Sequence, residues 1–115
     1  MKTTTTLTAA FALLVAAPAL LAQPLGDPKR GRDKVQMCQG CHGIPGWRTA
    51  FPEVYEVPKI TGQHAAYLVR AMQAYKTGER NHPSMRAIAA TLTDQDMADL
   101  AAYFAQGAAS TNAGK

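Results

Sequence analysis

Residues 38–42 read Cys-Gln-Gly-Cys-His, and no other stretch of the chain narrows its possible folds as much. Cys38 and Cys41 are the only two cysteines, and His42 follows the second directly. A disulfide between them would close a four-residue loop, which takes little entropy from the unfolded chain. A thioredoxin-like redox pair needs a βαβ setting, and no alternating apolar and polar run marks a strand in this sequence. Structural zinc would need two further ligands, here only His64 and His82, giving a Cys2His2 set of abnormal spacing.

Two thiols at this spacing with an imidazole on the next residue suit covalent attachment of a c-type haem. The thiols add to the two vinyl groups of the porphyrin, and the adjacent histidine lies close enough beneath the ring to bind iron axially. The size of the chain points the same way. Of its 115 residues 47% are hydrophobic and 17% charged, which suits one small globular domain. Met1 to Ala22 carries Lys2, an apolar run from Leu7 to Leu21 and small residues at Ala17, Ala19 and Ala22, the pattern of a secretory signal peptide. As a membrane span this run is short, because an apolar bilayer core takes roughly 20 residues. Cleavage is expected at Ala22-Gln23, with Ala19-Leu20 as the alternative, leaving no membrane span, a haem domain over residues 23–107 and a flexible tail over 108–115. So small a domain buries little apolar surface alone and commonly leans on a cofactor. The basic excess is slight, 12 Lys+Arg against 8 Asp+Glu, and acids accompany the one cluster, Lys29, Arg30, Arg32 and Lys34. Nucleic acid is therefore set aside as a partner.

The rest of the sequence reads as helices joined by loops. Asp27-Pro28 is an N-cap and first helical position, predicting a helix that runs toward Cys41. Gly31 inside it costs about 1 kcal/mol against alanine, which makes sense where another helix crosses close by. Gly43, Pro45, Gly46, Pro52 and Pro58 make the following stretch a loop, carrying Trp47, Phe51 and Tyr55. Ala65, Leu68, Met72 and Tyr75 fall at helical steps and predict a helix over Gln63 to Thr77, stopped by Gly78. A polar loop follows from Glu79 to Ser84, then a short helix over Arg86 to Thr91. Thr93 with Asp96 three residues later forms a capping box for a last helix, ending at Gly107, whose apolar stripe holds Met97, Leu100, Ala101 and Phe104.

Four segments taken together, Cys38-Gln-Gly-Cys41-His42-Gly43, Pro58-Lys-Ile-Thr-Gly62-Gln63 before Tyr67-Leu68, Tyr75-Lys-Thr-Gly78, and Leu92 to Phe104, make residues 31–107 resemble a class I c-type cytochrome. The likeness is to one haem domain of the cytochrome c4 and small bacterial cytochrome c553 group. Cytochrome c4 has two such domains where this chain has one, and the loop between His42 and Pro58 is longer than the family pattern. The resemblance implies an all-α monohaem fold in which the N- and C-terminal helices cross and the haem forms the core. Gly31 would then meet the last helix near Leu100 to Phe104, where leucine at position 31 would cost on the order of 1 to 3 kcal/mol by overpacking.

The sixth iron ligand is sought among five methionines. Met1 leaves with the signal, and Met37 sits beside Cys38 on the attachment side. Met72 and Met97 lie on apolar helix stripes, where methionine is ordinarily core filler. Met85 follows the polar run Asn81-His82-Pro83-Ser84, where so apolar a residue needs an internal partner, and it matches the family's ligand methionine by position. Ile88 stands where a second methionine is common. His64 and His82 are the rivals, His82 being expected as a solvated loop residue. His42 should give its other ring nitrogen to a carbonyl between Gly43 and Pro58. Trp47, Arg48 and Tyr55 are candidates to meet the haem propionates, or plain wall.

What the resemblance implies is a periplasmic monomer that moves single electrons on one haem c, with His42 and Met85 as axial ligands and no position open for a substrate. It would not be an enzyme, and its partners would be redox proteins such as a respiratory reductase, oxidase or dehydrogenase. Two other classes remain open: a haem subunit bound permanently to a periplasmic dehydrogenase or oxidase, and a small haem enzyme or sensor with a labile sixth ligand.

Overall fold

The computed structural model describes residues 23–50 and 54–110. The signal segment expected over residues 1–22, Phe51 and residues 111–115 lie outside them. Among the described residues the order is α1 (Pro28–Lys34), α2 (Gln36–His42), β1 (Arg48–Thr49), β2 (Tyr55–Glu56), α3 (Ala65–Thr77), α4 (Pro83–Ala90) and α5 (Asp94–Ser110). The fold is all-α but for one small ribbon. Helix α1 packs on α5, α5 on α3, and α3 on α4, around a core of Val35, Leu68, Val69, Leu92, Met97, Leu100, Ala101 and Phe104.

Local chemistry sets most of the ends. The Asp27 carboxylate accepts from the Lys29 N–H at 2.8 Å, and Pro28 opens α1. The single helix expected as far as Cys41 is two, because Val35 turns into the core and its carbonyl takes both the Cys38 and Gln39 N–H groups. At Thr93 the capping box forms reciprocally: Asp96 accepts from the Thr93 N–H at 2.9 Å, and the Thr93 hydroxyl accepts from the Asp96 N–H at 3.1 Å. Helix α3 begins at Ala65 with His64 as its N-cap and ends at Gly78 in the left-handed region, φ 88°, which only glycine adopts without strain.

Three expectations are corrected. The segment from Gly43 to Pro58 is not all loop: Arg48 pairs with Glu56 and Thr49 with Tyr55 in an antiparallel ribbon, whose two-residue strands are too short to leave an alternating pattern. Helix α4 starts at Pro83 rather than Arg86, so Met85 lies in its first turn and not in a loop. Helix α5 continues past Gly107 to Ser110, since Gly107 does not take the left-handed conformation that would end it.

Gly31 is buried where α1 meets α5. A Cβ there would fall on the Asp99 carbonyl and lie 2.8 Å from the Tyr103 Cβ, so the contact spans Asp99 to Tyr103 and overlaps the expected stretch from Leu100 to Phe104. Because the nearest obstacle is backbone, even alanine requires the helices to part. Gly31→Ala is therefore expected to lose stability toward the upper end of about 1–3 kcal/mol, despite alanine's better helix propensity. Denaturant melts of the two proteins would measure the loss; equal midpoints would mean the crossing is loose.

The same crossing buries a charge. Asp99 on α5 is 0% exposed, and an isolated buried carboxylate is costly. It is not isolated: Arg30 donates through Nε and Nη2 at 3.0 Å each, the Asp27 N–H at 2.8 Å, Gln95 at 2.9 Å and Lys34 at 3.1 Å. The Arg30 bond is the largest reason its carboxyl is held well below the usual range. Lys34, then Thr93, lowers Asp96 to about 2. Both acids titrate lower folded than unfolded, so their contribution is complete above about pH 4–5 and is lost as acid approaches the folded values. Asp99→Asn is expected to cost about 1–3 kcal/mol at neutral pH. It should also flatten the fall in stability below pH 4, which urea melts across that range would record. The cost should sit at the low end, because Arg30 is half in water and is not stranded by the change.

Candidate functional site

Helices α2, α3, α4 and α5 and the ribbon enclose a cavity of about 240 Å³. From α2 it is lined by Met37, Cys38, Cys41 and His42; from α3 by Tyr67, Leu68, Ala71, Met72 and Tyr75; from α4 by Ser84, Met85, Ile88 and Ala89; and from α5 by Leu100, Ala101 and Phe104. Thr49, Tyr55 and the stretch from Val57 to Ile60 close it from the ribbon side. The lining is chiefly apolar, so the cavity takes a large apolar group and offers it two thiols, imidazoles and thioethers.

The pair of thiols is free of any disulfide. Cys38 is half-buried, and burial pushes its thiol up. That is the wrong direction for a redox-active pair, which depends on a stabilised thiolate. His42 ends α2 with its Nδ1 2.7 Å from the Pro58 carbonyl oxygen. A carbonyl only accepts, so Nδ1 carries the proton and Nε2 keeps its lone pair as the ring's coordinating atom. The expected bond into the loop after the motif is thus found, at its last residue.

Met85 and His82, apart by three residues, share the α4 end of the cavity. His82 is not the solvated loop histidine expected: it is the half-buried N-cap of α4, its Nδ1 accepting from the Met85 N–H at 3.4 Å and its ring 5.6 Å from that of Tyr55. Histidine is an unusual cap, and Pro83 at the first helical position was the available signal for this helix start. His64 caps α3, exposed and outside the cavity lining. Among the described residues no group of three or more His, Cys, Asp or Glu side chains is placed to hold a metal ion, so the Cys2His2 zinc set does not assemble. Met97 is fully buried in the core and Met72 packs against that core while also facing the cavity.

Of the side chains expected to meet propionates, only Tyr55 lines the cavity. Arg48 stands 3.8 Å from Glu56 across the ribbon, and Trp47 is 42% exposed. The sequence reading passed over Arg80, which does line the cavity, with its guanidinium 4.7 Å from the centre of the Tyr75 ring. An arginine in a polar stretch carries no sequence signal for such a role.

The residues present fit a c-type haem. Two thiols, an imidazole with a fixed tautomer and a thioether face one apolar cavity, the donor set a covalently attached, low-spin iron porphyrin requires. Among the described residues no helix is long and apolar enough to cross a membrane.

A family model for cytochrome c matches residues 28–108. The chain is 42% identical over 82 residues to cytochrome c-554(548) of Halomonas halodenitrificans, covering 69% of this chain and 94% of that protein. It is 40% identical over 85 residues to a cytochrome c4 of Pseudomonas aeruginosa, covering 74% of this chain and 40% of that one. To cytochrome c-552 of Acidithiobacillus ferridurans it is 32% identical over 96 residues, 80% of this chain and 40% of the relative. The chain therefore spans about two fifths of the cytochrome c4 and c-552 relatives and nearly all of the cytochrome c-554(548).

Proposed function

This chain belongs to the cytochrome c family and so takes one covalently bound haem c, and from that premise we propose that it is a periplasmic electron carrier, not an enzyme, with His42 and Met85 as axial ligands. The haem, when bound, supplies a one-electron iron couple. Cys38 and Cys41 hold it through thioethers, and the observation that carries this reading is that one cavity receives both thiols, His42 and Met85.

The remaining chemistry belongs to the protein. Pro58 fixes the His42 tautomer, so Nε2 would be presented to the iron of a bound haem as a neutral donor. Met85 gives a soft thioether, which favours the ferrous state, and the apolar lining disfavours the extra positive charge of the ferric state. Both effects raise the potential. With imidazole and thioether in place no position is open to a substrate, which leaves outer-sphere transfer to and from redox proteins. Met37, Tyr55 and Tyr67, each both exposed and lining the cavity, form the edge such a partner would meet. Residues 1–22 as a removable signal and 23–107 as the haem domain complete the reading.

Visible spectra of the periplasmic protein in both oxidation states test it. Covalent haem, a weak far-red band in the ferric form and no reaction of the ferrous form with CO are expected. Ready CO binding would move the protein to the sensor or enzyme class, and co-purification in a fixed complex would make it a bound subunit.

A further inference from the structure

Two cations, Lys59 and Arg80, line the cavity, and no carboxylate does so among the described residues. Elsewhere Arg30 and Lys34 pair with Asp99, Lys34 also with Asp96, and Arg48 with Glu56, but none of these three lines the cavity. Arg80 has no carboxylate within ion-pair distance among the described residues, yet it is not loose. Its guanidinium lies over the Tyr75 ring at 4.7 Å, a geometry that attracts a cation to the ring face, and interaction with the Tyr67 hydroxyl favours its charged form. Both tyrosines come from α3 and line the same cavity. A planar cation seated on a tyrosine ring at the rim of an apolar, acid-free cavity is a receptor for an anionic group on whatever enters. Haem carries such groups at one edge, its two propionate carboxylates, and a guanidinium binds carboxylate through two parallel N–H donors.

We propose that Arg80, seated on Tyr75, pairs with a haem carboxylate, a role for which the sequence offered Trp47, Arg48 and Tyr55. The proposal rests on the haem reading above and adds to it a residue that sets the potential. A fixed positive charge beside the haem disfavours the ferric state, and a propionate left without its partner favours it. Loss of Arg80 acts through both in the same direction, toward a lower potential. Lys59 is a charge-matched control: like Arg80 it is exposed and lines the cavity, but it carries a point charge on a flexible stem.

Redox titration of the haem-loaded protein at one fixed pH tests this. Arg80→Gln is expected to lower the midpoint potential by clearly more than Lys59→Gln, which removes the same charge, while Arg80→Lys retains most of the wild-type value. The far-red ferric band should persist in all three, showing the axial ligands intact. A shift no larger than that of Lys59→Gln, or an Arg80→Lys protein falling as far as Arg80→Gln, would overturn the assignment, since the effect would then be general charge or lost packing. If wild-type protein holds covalent haem with the far-red band and Arg80→Gln leaves its potential unmoved, only the role of Arg80 fails. If no covalent haem is present, both readings fail together.

Discussion

Replacing Cys38 and Cys41 together by alanine is expected to give a colourless chain without a cooperative unfolding transition. The cause lies in the packing. Helix α2 contributes no fully buried residue; Met37, Cys38, Cys41 and His42 on it line the cavity instead. With no covalent tether there, the apolar walls supplied by α3, α4 and α5 face water, and a domain of this size has little other core to offset that exposure. The two single variants should differ. Cys38 is half-buried and packs against the core cluster, whereas Cys41 is exposed, so Cys38→Ala should lose both a thioether and core contacts and melt lower than Cys41→Ala. Haem staining of denatured protein, acid-acetone extraction and a denaturant melt check all three. A double variant that unfolds cooperatively near the wild-type midpoint would show that the helices pack without the ring, and wild-type protein that yields its haem to extraction would refute covalent attachment.

How much of this was legible beforehand depended on whether the controlling chemistry is local. The motif at 38–42, the Asp27-Pro28 and Thr93-Asp96 helix starts and the Gly78 stop are short-range patterns with one physical meaning each, and they appear where the residues indicated. Boundaries failed where a cap was unusual or a tertiary contact decided. His82 is a poor statistical N-cap, so α4 was expected three residues late and Met85 was placed in a loop. The break at Val35 follows from burial, which periodicity over so short a stretch does not reveal. Asp99 was the least legible residue of all. It sits between Ala98 and Leu100, and only the tertiary fold shows that the basic cluster of α1, read from sequence only as a slight basic excess accompanied by acids, turns Arg30 and Lys34 inward upon it. Arg80, and the choice of Pro58 among the carbonyls expected to meet His42, were hidden for the same reason: what matters about each is its partner in space.

Met85→Ala is expected to abolish the far-red ferric band, lower the reduction potential and open the ferrous protein to CO. Its position in the first turn of α4, rather than in a loop, strengthens the expectation, because a ligand on a helix anchored by the His82 cap and by Ala89 in the interior is held in one place. Three methionines face the cavity, Met37, Met72 and Met85, so the alternatives are few. Met37 lies next to Cys38 on the helix that attaches the ring and is 52% exposed. Met72 is the real competitor, half-buried at the middle of α3 and packed against the core. Met72→Ala is expected to keep the band and lose stability, by less than the roughly 2–5 kcal/mol of a fully buried truncation. Met97→Ala, at 0% exposure and outside the cavity lining, should keep the band and lose the full amount. One spectrum and one melt per variant separate the cases. A band that survives Met85→Ala and disappears in Met72→Ala would transfer the ligand to α3. A wild-type protein without the band would instead bring forward His82, the histidine that shares the cavity with Met85, and a second imidazole in place of the thioether would lower the potential of the carrier.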